Sequence, residues 1–206
     1  EYVKTQMDVT NFIDYQIANI FAANTDWPGN NIKYWRLRTN QYSPNAPQGY
    51  DGRWRWMMYD TDFGFALYNS VNHNTLQFAT DPNGPSWPNP SWSTFLLRRL
   101  LENESFRYAF INRFADLLNT TFLPGRMVGI ISEMKQVIDP EMPEHIHRWK
   151  SPGWGSISNW NSQVNVMTSF ANQRPAIQRT HIRSYFSIPN NITVTVNVNN
   201  PQAGFI

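Results

Sequence analysis

Residues 9–31 read VTNFIDYQIANIFAANTDWPGNN and residues 53–64 read RWRWMMYDTDFG. In the first stretch Phe12, Ile13, Ile17, Ile20 and Phe21 recur at helical spacing, which predicts a helix over 9–23 with Asp8 or Thr10 as its cap. Asn24 to Asn31 follow, dense in turn formers, and Pro28-Gly29 stops the helix. Lys33 to Arg38 (KYWRLR) alternates like a strand, and so does Arg53 to Tyr59 (RWRWMMY). A polar, Pro- and Gly-rich connection to Gly52 joins them into a predicted β-hairpin. The hairpin leaves through Asp60-Thr61-Asp62-Phe63-Gly64, so two acidic turns bracket it.

Outward from this centre, residues 69–90 hold many Asn, Pro and Gly without periodicity and read as an extended loop. Beyond Ser91 the pattern turns helical. Helices are predicted over 92–101, over 104–119 with Phe106, Phe110, Phe114 and Leu117 on one face, and from Pro124 to about Ile138. A short helix is expected over 141–149, and two more over 156–172 and 174–186, the last with Pro175 in its first turn. Ile192 to Val198 (ITVTVNV) alternates strictly and predicts a strand. The expected fold class is α+β, mainly α-helical, with one domain over 1–188. The tail 189–206 either pairs with that body or begins a following domain.

Composition narrows the function classes. The 206 residues include 41% hydrophobic and 15% aromatic side chains, which excludes disorder for most of the length. No apolar run nears the roughly 20 residues of a membrane helix. The net charge of +2 argues against a nucleic-acid partner. With no cysteine, disulfide scaffolds and thiolate metal sites are excluded. His145 and His147 lie two apart, which on a helix does not place them on one face.

The chemistry concentrates in the two turns. A hairpin brings its ends together, so two or three of the carboxylates Asp26, Asp60 and Asp62, with the Asn31 amide, are expected at one mouth. Such hard oxygen ligands suit Mg2+, which prefers one or two carboxylates completed by phosphate oxygens. Asp26 and Asn31 carry the D-x-x-x-x-N spacing of a kinase catalytic loop, and Asp62-Phe63-Gly64 follows in the order of the kinase D-F-G element. The plain readings stand beside this one. Asp26 is also an ordinary turn residue before Pro-Gly, Asn31 also suits the start of a strand, and Asp60 and Asp62 also suit Ca2+ or solvent. Phe63 and Phe65 read as core. Trp54 and Trp56 share a strand face and read as a core layer, given apolar Met57 and Met58, with a sugar-stacking platform as the alternative.

The stretches NFIDYQIANIFAANTDWPGNNIKYWR (11–36) and GRWRWMMYDTDFGFALY (52–68) together resemble the CotH kinase family, secreted or spore-coat proteins with an atypical protein-kinase-like fold. The segment LLENESFRYAFINRFADLLNTTF (100–122) has the same look. The resemblance implies a kinase-like C-terminal lobe whose hairpin bears the site, and ATP-dependent phosphorylation of Ser or Thr on a protein substrate outside the cytoplasm. Carried over, Asp26 is the catalytic aspartate that orients the acceptor hydroxyl. Asn31 is a metal and nucleotide ligand, and Asp62 holds Mg2+ against the ATP phosphates with Asp60 as the competing assignment. Two departures accompany it. Pro28 stands where ordinary kinases carry a Lys, so charge compensation must come from elsewhere. Only about ten residues precede the first helix, with Lys4 the sole upstream Lys and no Gly-rich phosphate loop. Glu1 opens the chain with no signal-peptide pattern, so it reads as an excised piece, the catalytic lobe alone, weak in ATP binding and in transfer. Two other classes compete, a carbohydrate-active or carbohydrate-binding module using Asp26 and Asp62, and a coat or surface protein that kept the fold without the chemistry.

Overall fold

A computed structural model describes residues 1–84, 86–149, 155–190 and 192–194. Two helices open the chain, α1 (Tyr2–Gln6) and α2 (Val9–Phe21), followed by the hairpin of β1 (Lys33–Trp35) and β2 (Arg55–Met57). Then come α3 (Thr75–Phe78), α4 (Phe95–Glu102), α5 (Glu104–Asn119), α6 (Pro124–Ile138), a 3-10 turn (Asp139–Glu141), α7 (Met142–Trp149) and α8 (Ile157–Tyr185). The domain is mainly helical with one small antiparallel sheet, an α+β arrangement.

Helix α2 is the axis of the core. Asp8 caps it by accepting from the Asn11 N–H at 3.1 Å. Phe12, Ile13, Ile17, Ile20 and Phe21 are buried, and the helix packs against β2, α3, α5 and α8. Phe12 meets Trp56 edge-on at 4.7 Å, and Phe21 stacks on Phe122 at 3.9 Å. From α5 come Phe106, Phe110, Phe114 and Leu118, and α6 lies along α8.

A three-residue ladder is too short to hold a hairpin in water, so the rest of the domain supports it. Lys33, Tyr34 and Trp35 pair with Met57, Trp56 and Arg55. The outer edge of β2 is covered as well. Asp8 N–H donates to Trp54 O and Trp54 N–H to Gln6 O, both at 2.9 Å. The Asn11 side chain accepts from Trp56 N–H at 2.7 Å and donates to Trp56 O at 3.2 Å, standing in for a third strand. Under the hairpin Arg55 spans Asp51 and Asp8 at 2.8 and 2.9 Å, and Arg53 joins the same pair. Alternation in RWRWMMY thus sends the arginines to this buried network and Trp54 and Trp56 against the core.

Five expectations are corrected. The final two helices are one helix, α8, with Pro175 inside it. The apolar stripe of Phe170, Ala171, Pro175 and Ile182 runs through the proline, and its burial in the core, with Phe170 against Phe21 and Phe65, offsets the roughly 3 kcal/mol that an interior Pro costs. The strands are shorter than their alternation, because the chain beyond Trp35 leaves the sheet while Trp54 pairs with Gln6 and Asp8 instead. The loop 69–90 contains α3, whose Thr75 and Leu76 are buried. Met57 and Met58 are exposed, not core. Residues 192–194 carry no regular structure, and the rest of the expected strand, 195–198, lies outside the described residues.

The Asp51 carboxyl is held well below the usual carboxylate range, first by its hydrogen bonds to Arg55 and then by those to Arg53, against the opposing effect of burial. A carboxyl with a depressed folded value stabilises above its unfolded value and loses that contribution as the pH falls through the folded one. Asp51→Asn is therefore expected to cost about 3 kcal/mol in urea denaturation at neutral pH. Its deficit relative to wild type should shrink as the pH falls below about 4. A deficit that stays constant between about pH 6 and about pH 3 is inconsistent with this network.

Candidate functional site

The site is built on the C-terminal end of α2. The last carbonyls of a helix lack the donors of a next turn; here Ile20 O accepts from Ala23 N–H, and the guanidinium of Arg174 from α8 donates to both Ile20 O and Phe21 O. Arg174 is 0% exposed. Its Nε donates to Phe21 O at 2.9 Å and its Nη2 to Ile20 O at 2.9 Å and Thr75 Oγ1 at 3.3 Å. Its Nη1 donates to Val71 O and His73 O at 2.7 and 2.8 Å. The five donations match the five N–H groups of a guanidinium. Burial pulls this group down to about 10, which leaves it charged at neutral pH.

Beyond α2 the backbone turns at Ala23, whose φ is +57°. A chain of amides then runs into the turn. Asn19 donates to Tyr15 O at 3.0 Å, Asn24 donates to Asn19 Oδ1 at 2.9 Å, and Asn24 Oδ1 accepts from Asp26 N–H at 3.1 Å. Asp26 is 8% exposed. Its Oδ1 accepts from the Asn30 amide at 2.7 Å and its Oδ2 from the Asn31 amide at 2.6 Å. Trp27, 1% exposed, anchors the turn in the core edge-on to Tyr15 at 6.2 Å. Burial pushes the Tyr15 hydroxyl up to about 12, so it stays protonated. Gly29 N–H donates to Pro88 O at 2.7 Å, tying the loop around Trp87 to this turn. A Cβ on Gly29 would stand 2.4 Å from Pro90 Cδ and 2.6 Å from Pro88 O, so only glycine fits.

The second turn lies against the first. Phe65 N–H donates to Ala22 O at 2.8 Å, and the Asn69 amide donates to the Thr25 hydroxyl. Gly64 closes on Thr61 O and sits so near α2 that a Cβ would lie 3.1 Å from Ala22 O. Phe65 packs on Phe170 at 5.1 Å, and partly buried Phe63 meets Tyr68 at 4.3 Å. Asp60 and Asp62 are exposed, and among the described residues neither makes an ion pair or a side-chain hydrogen bond. Of the six described non-glycine residues with positive φ, Ala23, Asn31, Asp60, Phe65 and Ala66 belong to these two turns. Such backbone costs of order 1 kcal/mol or more per residue and collects where a structure holds functional groups in place.

The donor set fits Mg2+ shared with phosphate. Asn31 spends its amide N–H on Asp26 and, among the described residues, its Oδ1 has no donor and the Asp60 and Asp62 carboxylates have no partner. These are hard oxygens, too few for a closed cage and suited to an ion that keeps water and phosphate ligands. Among the described residues no group of three His, Asp or Glu is assembled to hold a metal ion. Of the two or three carboxylates expected beside the Asn31 amide, Asp26 lies in one turn sealed by amides, and Asp60 and Asp62 lie exposed in the turn joined to it.

Several expectations elsewhere resolve. Trp54 is not a free stacking platform, because Arg36 covers its ring at 4.8 Å and Tyr34 meets it edge-on at 5.4 Å. Trp160 lies in α8 and donates to Asp139 at 2.6 Å. Arg174, Asn19, Asn24, Asn30 and Asn69 support the site without having been singled out in the sequence. Asn30 stood inside the quoted turn. Arg174 left one readable signal, a charged residue on the apolar stripe Phe170, Ala171, Pro175, Ile182.

A mainly helical domain whose central helix and small hairpin hold an Asp–Asn turn against a D-F-G turn defines the class. The sequence model for CotH kinase protein matches residues 1–177. The chain belongs to the CotH kinase family. No curated protein and no solved structure matches it. No helix among the described residues is long and apolar enough to cross a membrane.

Two substitutions test this architecture. Arg174→Met removes five donations and leaves Phe21 O and Val71 O without their donor, and is expected to lower unfolding free energy by about 3 kcal/mol or more. An unchanged urea midpoint contradicts the capping role. Gly29→Ala must displace Pro88 or Pro90, at an expected cost of about 1–3 kcal/mol. Thermal denaturation reads it, and equal melting of variant and wild type rules out the close approach.

Proposed function

We propose that this domain is the catalytic lobe of an atypical Mg-ATP-dependent protein Ser/Thr kinase. The observation that carries the reading is the Asp26–Asn31 pair held in one hydrogen-bonded turn against the turn that bears Asp62. Phosphoryl transfer asks a protein for positioning and charge more than for covalent chemistry, and a turn tied down by amides and core packing supplies positioning. Asp26 orients the acceptor hydroxyl and takes its proton as that oxygen bonds to the γ-phosphorus and ADP leaves. The Asn30 and Asn31 amides keep its two oxygens aimed. Asn31 Oδ1 and Asp62, with Asp60 as the competing ligand, are the groups that hold Mg2+, which when bound neutralises charge on the phosphates. The acceptor is a Ser or Thr of a protein, and the work is done outside the cytoplasm, at a cell surface, in a spore coat or in secreted form, a reading that membership of the CotH kinase family supports. Among the described residues no Gly-rich loop on a strand precedes α2, where five residues form helix α1 instead.

A second reading is a coat or surface protein that binds through the same turns without transfer. One observation favours it: both Asp26 oxygens already accept an amide hydrogen bond, and the residue is nearly buried.

Titration of the chain with Mg-ATP, followed by phosphorus NMR, separates the readings when joined to a transfer assay on a Ser/Thr protein acceptor. Asp62→Ala and Asn31→Ala should remove the Mg-dependent binding. Asp26→Ala should keep binding and reduce transfer about 100-fold or more. Transfer that persists in both Asp26→Ala and Asp62→Ala ends the kinase assignment. Mg-ATP binding with no transfer by wild type supports the second reading.

A further inference from the structure

Charge balance at the two turns leaves a gap. Asp26, Asp60 and Asp62 place three negative charges beside a site that, on the reading above, receives a triphosphate. A magnesium ion alone does not offset them, and the catalytic turn carries Pro28 and no Lys. The chain offers few cations here. No Lys or Arg occurs from Val9 to Ile32 or from Trp56 to Leu97, so α2, both turns and the D-F-G segment carry none. Arg174 is buried with its donors spent on carbonyls. Arg53 and Arg55 are committed to Asp8 and Asp51, and Arg36 covers Trp54.

Lys33 is different on each count. It opens β1 two residues after Asn31, and its cross-strand partner is Met57. It therefore stands at the open end of the hairpin, where the two turns leave the ladder. Its Nζ rests 3.4 Å from the centroid of the Tyr59 ring, next to Asp60. The side chain is exposed, and among the described residues it has no carboxylate partner although Asp60 and Asp62 follow that ring directly. An exposed cation–π contact is weaker than a charge-assisted hydrogen bond to phosphate. Tyr59 thus parks the ammonium at the mouth without consuming it.

We propose that Lys33 is the phosphate-neutralising cation of the nucleotide site, taking from the first strand of the hairpin the role that the catalytic turn leaves vacant. The inference rests on the kinase reading and adds a residue to it. The whole chain is titrated with Mg-ATP and separately with Mg-tripolyphosphate, in wild type, Lys33→Met, Lys33→Arg and Asp62→Ala. Lys33→Met should weaken both ligands about tenfold and flatten the salt dependence of binding. Lys33→Arg should stay within about threefold of wild type, since it keeps the charge. If Asp62→Ala loses binding while Lys33→Met stays within about twofold of wild type, Lys33 has no such role and the kinase reading stands. If wild type binds neither ligand at millimolar concentration, the nucleotide reading falls and this inference falls with it.

Discussion

One buried guanidinium holds the parts of this domain in relation. Arg174 reaches from the middle of α8 to the last carbonyls of α2 and to the carbonyls of Val71 and His73 ahead of α3. A buried charge without a carboxylate is costly, and here four backbone oxygens and the Thr75 hydroxyl offset part of that cost. Its position also agrees with the helix dipole, which favours a cation at a C-terminus. The direction in which α2 ends fixes where Asn24 to Asn31 begin. A residue far along the sequence therefore positions a turn it does not touch.

From that end the ordering passes through neutral groups. Asn19, Asn24, Asn30 and Asn31 relay hydrogen bonds to Asp26 without adding a charge beside it. Amides suit this task because each gives and accepts, so one residue can face the helix and the carboxylate at once. The left-handed backbone at Ala23, Asn31, Asp60, Phe65 and Ala66 opposes this order. Packing of Trp27 and Phe65 and the Phe65 N–H to Ala22 O bond supply the compensation.

What the sequence made legible follows from what periodicity encodes. Helices α5 and α6 fall on their expected bounds, because their apolar spacing is regular and Pro124 opens the second. The hairpin and both turns were readable from alternation and turn residues. Arg174 was not, since its partners are carbonyls and any sequence has those. Pro175 misled for a related reason, in that a local rule predicts a break and tertiary packing of α8 overrides it. The stacking reading of Trp54 failed because nothing local shows that Arg36 covers it. In the site, residue types and spacing were readable, while the sealing of Asp26 by Asn30 and Asn31 depends on how the turn closes.

The hairpin shows why its distal supports matter as much as the site. Its open end is held by the two turns, and three ladder pairs alone would let its far end swing. That far end is fixed by Asp8, Asp51, Arg53 and Arg55, and by Asn11 reading the backbone of Trp56. Asp8 joins the two devices, because it caps α2 with one oxygen and meets Arg55 with the other. The helix that launches the Asp26 turn and the strand that delivers Asp62 are thereby locked to one carboxylate at their distant ends. Loosening that lock would let β2 shift against α2 and carry the D-F-G turn away from Ala22. The seating of the D-F-G turn against Ala22 thus also draws on an ion-pair network at the far end of the hairpin.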